Sequence, residues 1–153
     1  MKNILLIIFI SFSISQDFDE LYFGSENDLD IMTWNIERFP KNGSITVNYV
    51  TQIISALDMD VIAIQEVDDI GSFNQLLYNL DGYEGYLESS WFAGLAFIYK
   101  TETVEINNIY EIYTTSEYWS PFPRSPMVMD MNFMGENYII INNHFKCCGN
   151  DYL

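Results

Sequence analysis

The sequence predicts an α/β domain with a mixed sheet, one parallel strand–helix–strand crossover followed by antiparallel hairpins. Three observations carry this. Residues 30–36 alternate, with Ile31, Thr33 and Asn35 on one face and Met32, Trp34 and Ile36 on the other, which is the period of a strand. Val47, Val50, Ile53, Ile54 and Leu57 then recur at helical spacing. A β-branched run of Val61, Ile62 and Ile64 follows within residues 60–67. Strand, helix and strand in so short a stretch make a βαβ unit, whose strands run parallel with a right-handed crossover.

The remaining elements follow in order. Pro40-Lys41-Asn42-Gly43-Ser44 is a turn cluster before the first helix, with Ser44 as candidate N-cap. Asn42-Gly43-Ser44 also matches a glycosylation sequon, and a turn explains it equally well. Ser72-Phe73-Asn74-Gln75 fits a capping box for a second helix that buries Leu76, Leu77 and Leu80, with Asp81-Gly82 ending it. Tyr83–Leu87, Gly94–Lys100 and residues 103–113 have strand character, the last two joined tightly at Thr101-Glu102. Residues 116–124 form an irregular loop containing Pro121 and Pro123. Residues 125–133 and 137–144 are strands joined across Met134-Gly135-Glu136, a hairpin signal.

Composition bounds the function. A chain of 153 residues has room for one domain, and 49% hydrophobic with 16% aromatic content excludes a disordered acidic tail. Six Lys and Arg against 22 Asp and Glu give a net charge of -16. That argues against nucleic-acid binding through a basic surface and against charge-driven binding to an anionic membrane. A phosphate-bearing substrate would need a cation to screen this acid.

The N-terminus has the pattern of an address. Lys2 precedes an apolar run, and Ser13-Ile14-Ser15 is a small-x-small cleavage site, so residues 1–15 are expected to be a signal peptide cut before Gln16. The run is short for a comfortable bilayer span of about 20 residues, and an uncleaved anchor or a buried strand is the plainer alternative. The expected product is secreted or periplasmic, with no stable membrane insertion. Residues 16–27 are expected to be an acidic linker, and residues 28–153 the domain. Adjacent Cys147 and Cys148 exclude a disulfide-rich miniprotein. In an exported protein at least one is expected to pair with a cysteine outside this sequence; a free thiol pair and a soft-metal site are the alternatives.

Three apolar strands end in polar residues: Asn35-Ile36-Glu37, Gln65-Glu66 and Asn142-Asn143-His144. Ligands of open α/β sheets bind beyond the carboxyl ends of the strands. If the first two strands are neighbours, their tips lie about 5 Å apart, and Asn35 and Glu66 can reach one ion. An amide oxygen with a carboxylate is hard-oxygen chemistry, suited to Mg²⁺ or Ca²⁺ rather than Zn²⁺. His144 is the single histidine of the chain and a candidate proton-transfer group. Arg124, in Pro123-Arg124-Ser125-Pro126, is placed to clamp a phosphate. Each has a plainer reading: Asn35 as a turn residue, Glu66 as solvated charge, His144 as a core hydrogen-bonder, Arg124 as a surface ion pair.

Taken together in chain order, these segments resemble the endonuclease/exonuclease/phosphatase superfamily, in particular its deoxyribonuclease-like members. Ile31-Met32-Thr33-Trp34-Asn35-Ile36 resembles its opening strand, and Asp60-Val61-Ile62-Ala63-Ile64-Gln65-Glu66-Val67 its Gln-Glu motif. Pro123-Arg124-Ser125-Pro126 resembles its Arg-x-Pro stretch, and Asn143-His144-Phe145-Lys146 its mid-chain histidine motif. The resemblance implies a four-layer α/β sandwich of two sheets flanked by helices. It implies divalent-metal-dependent phosphoester hydrolysis with Mg²⁺ (or Mn²⁺ or Ca²⁺). Asn35 and Glu66 would be metal residues, Arg124 and Asn143 phosphate-binding residues, and His144 the catalytic acid. The substrate classes implied are nucleic acid, lipid head group and inositol phosphate.

The family's Asp-x-Asn motif after the mid-chain histidine and its terminal Asp-His pair do not occur here. The expectation is therefore an incomplete domain, truncated after the histidine motif. It would be the N-terminal half of an exported phosphoesterase, inactive alone and with an apolar sheet face exposed. The alternative is a secreted non-catalytic binding or adhesion module on the same fold, using part of the load of 11 Tyr, 11 Phe and 3 Trp as a contact surface.

Overall fold

A computed structural model describes residues 18, 21–25, 27–88 and 93–145. The expected signal peptide, Lys146 and the Cys147-Cys148 pair lie outside the described residues. The order of elements is β1 (Ile31–Phe39), α1 (Ser44–Leu57), β2 (Val61–Val67), α2 (Ile70–Asn79), β3 (Tyr83–Leu87), β4 (Gly94–Lys100), β5 (Val104–Glu111), β6 (Met127–Phe133) and β7 (Glu136–Asn142). A single 3-10 turn, Ser116–Tyr118, interrupts the loop between β5 and β6. No helix among the described residues is long and apolar enough to cross a membrane.

The strands form two sheets, one ordered β1-β2-β4-β3 and the other β5-β6-β7. β1 and β2 are parallel neighbours, with Ile31 opposite Val61 and Asn35 opposite Gln65. All other pairings are antiparallel. The alternation of β1 is as its sequence predicts, with Met32, Trp34 and Ile36 packed on the core and Ile31, Thr33 and Asn35 exposed. β2 and β4 sit at the centre of their sheet, so both faces are covered and their apolar runs are continuous.

Two apolar clusters hold the chain together. One joins both helices to the first sheet, through Val47, Val50 and Ile54 of α1, Phe73 and Leu76 of α2, and Ile62, Ile64 and Ile98. The other joins the sheets to each other, through Val61, Ala63, Leu95 and Phe97 on one side and Met127, Met129, Met131 and Phe133 on the other. Asp60, buried at the start of β2, accepts the Asp30 N–H and the Thr103 hydroxyl, tying the N-terminal edge of the first sheet to the β4–β5 turn. Met134 and Gly135 both have positive φ, 51° and 85°, the two-residue turn that matches strand twist and makes β6 and β7 a hairpin.

Several local expectations need correction. The hairpin strands span Met127–Phe133 and Glu136–Asn142 rather than 125–133 and 137–144, so Asn143 and His144 follow β7 instead of ending it. Strand β1 runs on to Phe39 rather than ending at Ile36, because an irregularity after Asn35 lets pairing resume at Phe39 opposite Val67. β5 occupies Val104–Glu111, shorter than 103–113 at both ends: its ladder with β6 runs from Val104 opposite Phe133 to Glu111 opposite Met127, and Tyr113 beyond it takes a positive φ of 58°. Helix α1 is capped by Gly43, with Ser44 its first helical residue. Helix α2 begins earlier than the Ser72 capping box implies: Asp69 is the N-cap, and its carboxylate accepts the Ser72 N–H at 2.6 Å. Ser72 thus lies inside the helix as the donor that Asp69 satisfies, and hydrogen bonds from the Ser72 side chain and then its backbone N–H hold the Asp69 carboxyl below its ordinary range. Replacing Asp69 by Ala should cost about 1 kcal/mol of unfolding free energy in a denaturant titration, and Ser72→Ala only a few tenths. Equal costs for the two would restore Ser72 as the cap.

Candidate active site

The site stands where β1 and β2 leave their sheet and β7 leaves the other. Both parallel strands break their ladder at this level. In β1 the shift falls between Asn35 and Phe39, where Glu37 and Arg38 take φ of 46° and 60°. In β2 pairing with β4 shifts between Gln65 and Val67, and the residue between them, Glu66, has φ of 70°. In an unbroken strand Glu66 would point to the face opposite Gln65. A left-handed residue at a bulge re-aims its side chain, here into reach of Asn35 on the neighbouring strand. Asn35 Nδ2 donates to Glu66 Oε1 at 3.1 Å, while Asn35 Oδ1 accepts the Glu37 N–H at 3.0 Å and so stabilises the bulge of its own strand.

His144 approaches from the other sheet, with Nε2 3.4 Å from Glu66 Oε1 and both side chains less than one fifth exposed. Its Nδ1 is buried and has no hydrogen-bond partner among the described residues. Burial holds the His144 pKa below its ordinary value, the Arg124 guanidinium lowers it further, and the Glu66 carboxylate opposes both. Arg124 is therefore close enough for its charge to act on the imidazole. Asn35, Glu66 and His144, from three separate segments, are thus gathered at one place, with the Arg124 charge acting on the imidazole. Asn143 is half-buried beside them, and nothing in the described contacts assigns it a partner.

Sequence reasoning missed the groups that fix this arrangement. Asn142 is 1% exposed and spans the gap between the sheets. Its Nδ2 donates to the Ile64 and Ala96 carbonyls, and its Oδ1 accepts from Gln65 Nε2 at 2.7 Å. Gln65 Nε2 also reaches the Thr33 hydroxyl and the Ala63 carbonyl. The signal for both was a polar residue within an apolar run. Asp68 is the second omission. Its carboxylate pairs with Arg38 Nε at 2.6 Å and accepts the Ala93 N–H at 3.0 Å, drawing the ends of β1, β2 and β4 together.

A metal can be judged on the donors. Glu66 supplies one carboxylate beside an amide, and no cluster of three His, Cys, Asp or Glu occurs among the described residues. Mg²⁺ is commonly held by one or two carboxylates, with waters and substrate phosphate completing the shell. The donor chemistry fits that ion: Glu66 supplies a carboxylate oxygen and Asn35 an amide oxygen, which here accepts the Glu37 N–H while the amide nitrogen donates to Glu66.

These features define a class of protein: an α/β domain with a carboxylate, an amide and an imidazole converging at the carboxyl ends of a parallel strand pair. Residues 32–133 match the Endonuclease/Exonuclease/phosphatase family, and the chain belongs to that family. Among solved structures it is similar to Danio rerio TDP2 complexed with a single-strand DNA product (TM-score 0.67, 17% identity, 80% of this chain and 48% of that one). It is also similar to a mannosyl-6-phosphatase of Bacteroides thetaiotaomicron (TM-score 0.58, 14% identity, 74% and 50%). A third is the catalytic domain of human Nocturnin with bound sulfate (TM-score 0.55, 16% identity, 74% and 48%). The chain spans about half the length of these proteins. No curated protein matches the sequence.

The inter-sheet amide should matter more to stability than any exposed polar group nearby. Asn142→Ala removes three buried hydrogen bonds and should cost about 3 kcal/mol. Urea unfolding of this variant checks it, and a loss below about 0.5 kcal/mol would show the bonds to be dispensable.

Proposed function

We propose that this chain carries the metal and phosphate site of a divalent-metal-dependent phosphoesterase. The observation that supports this best is the convergence of Asn35, Glu66 and His144, with the Arg124 charge beside them. In this reading Glu66 and Asn35, which are hydrogen-bonded to each other, are the residues that would bind Mg²⁺. The ion when bound supplies positive charge that polarises a phosphoryl oxygen and screens the substrate from an acidic protein. Arg124 clamps a phosphate oxygen with its fixed charge, and Asn143 adds a second donor. His144 hydrogen-bonds the phosphate and passes a proton to the leaving oxygen. The substrate is a phosphate ester; TDP2 with its DNA product and the mannosyl-6-phosphatase show how varied the esters on this fold are.

The finer expectations belong to the same proposal. Residues 1–15 direct export, and a fourth layer of helices covers the outer face of the second sheet. That face runs through Tyr110, Val128 and Ile141 in cross-strand register, and Tyr110, Ile139 and Ile141 are exposed on it. The 153-residue chain by itself binds without turning over substrate, and catalysis needs groups that these residues do not supply.

Two variants test the roles. Glu66→Gln should abolish Mg²⁺-dependent binding of inorganic phosphate to this chain, read by calorimetry. In a form of the protein competent for turnover it should cut the rate by about 100-fold or more. Unchanged Mg²⁺ dependence would remove Glu66 from the metal site. His144→Ala should lower kcat more than it raises KM. A change in KM alone would make His144 a binding residue rather than an acid. Chelator-sensitive phosphatase activity of the isolated soluble chain would contradict the claim that it is inactive by itself.

A further inference from the structure

The loop between β5 and β6 carries a row of aromatic rings that the phosphate chemistry leaves unused. Tyr113 stacks on Phe122 with ring centroids 5.2 Å apart and planes 7° apart. Tyr118 closes on Tyr113 at 4.7 Å, and Phe122 packs on Phe145 at 5.7 Å. The row begins beside both groups that would handle phosphate. Phe145 follows His144 directly, and Phe122 stands two residues before Arg124.

The rings belong to neither apolar cluster. Phe145 is 61% exposed although one side of it meets Phe122, and Trp119, on the next turn, is 62% exposed. Single exposed apolar residues need no explanation, but a contiguous aromatic surface beside a polar site marks a binding surface. A ligand held by its phosphate at Arg124 and His144 would carry its ester group past Phe145.

Charge narrows what that group is. With 22 acidic residues against 6 basic ones, the chain lacks the positive track that a long polyanion or an anionic bilayer requires. Rings packed face to face and at an angle suit a flat partner, and stacking on them is indifferent to which base is presented. We propose that Phe145, backed by Phe122 and Tyr113, is a base-stacking platform, and that the substrate is a nucleotide or the end of a short oligonucleotide. This rests on the phosphoesterase reading above.

The test separates the two. The 153-residue chain with Mg²⁺ is titrated by calorimetry with adenosine 5′-monophosphate, ribose 5-phosphate and inorganic phosphate. The nucleotide should bind about tenfold or more tighter than ribose 5-phosphate. Phe145→Leu, which keeps the apolar bulk and loses the π face, should bring that ratio close to one, and Phe145→Tyr should retain it. Phe122→Leu provides a second variant and should lower the ratio as well. Equal affinity of the unaltered chain for nucleotide and ribose phosphate would overturn the platform and leave the phosphate site standing. Absence of binding by all three would overturn both readings. Ring-dependent sedimentation with phosphatidylcholine vesicles, without preference for the nucleotide, would assign the surface to a bilayer and overturn the proposal.

Discussion

The geometry of the site depends on one buried amide. Beside this amide and the Glu66–His144 pair, the described contacts between the sheets are mainly apolar, and apolar contact is non-directional, so it sets how closely the sheets pack more than how they slide. Asn142 removes that freedom. It binds the Ile64 and Ala96 carbonyls and Gln65 at once, which only one register of the two sheets allows. Gln65 precedes Glu66 by one residue, and Asn142 precedes His144 by two. The bond between Gln65 and Asn142 thus determines how far the carboxylate stands from the imidazole. Burying an amide costs free energy unless its hydrogen bonds are made, and here they are made.

A second constraint is conformational. Glu37, Arg38 and Glu66 all adopt left-handed backbone, which costs non-glycine residues on the order of 1 kcal/mol or more each. Such conformations persist only where the surroundings enforce them. Below the irregularity, Phe39 and Val67 pair and are 1% and 0% exposed, so both strands re-enter the core in register. Asp68, on that same side, holds Arg38 and the Ala93 N–H, and on the other side Asn35 pairs with Gln65. The bulges are pinned from both sides. What the strain achieves is the delivery of Asn35 and Glu66, on adjacent strands, to one point.

This explains which parts were legible in the sequence. Strand and helix periods are local, and β1, β2, β3, β4 and the β6–β7 hairpin follow from them to within a few residues. The polar strand ends were legible too, because a polar residue closing an apolar run stands out. The orientation of Glu66 was not, since alternation places it on the wrong face and only the bulge corrects it. Nor was the division of labour between Asn142 and Asn143. Adjacent asparagines look alike in sequence, and which one turns inward is decided by a sheet whose partner residue lies 77 positions away. Asp69 and Ser72 present the same difficulty at short range: both are capping residues, and the structure makes one the acceptor and the other the donor.

The two arms of the site are supported unequally. Glu66 grows from β2, which has a strand on each side, helices packed against one face and the second sheet against the other. His144 follows β7, an edge strand whose outward residues Ile139 and Ile141 face solvent. Stability in a fold is local, and elements with fewer buried contacts open at lower cost. The carboxylate is therefore the fixed reference of the site, and the imidazole is the part able to adjust. Two contacts limit that adjustment: the amide of Asn142 beneath it, and the Phe122–Phe145 ring contact that ties the Arg124 loop to the residue after His144. A group that bound against Phe145 would press on the same contact, so occupation of the aromatic row and placement of His144 and Arg124 are mechanically linked.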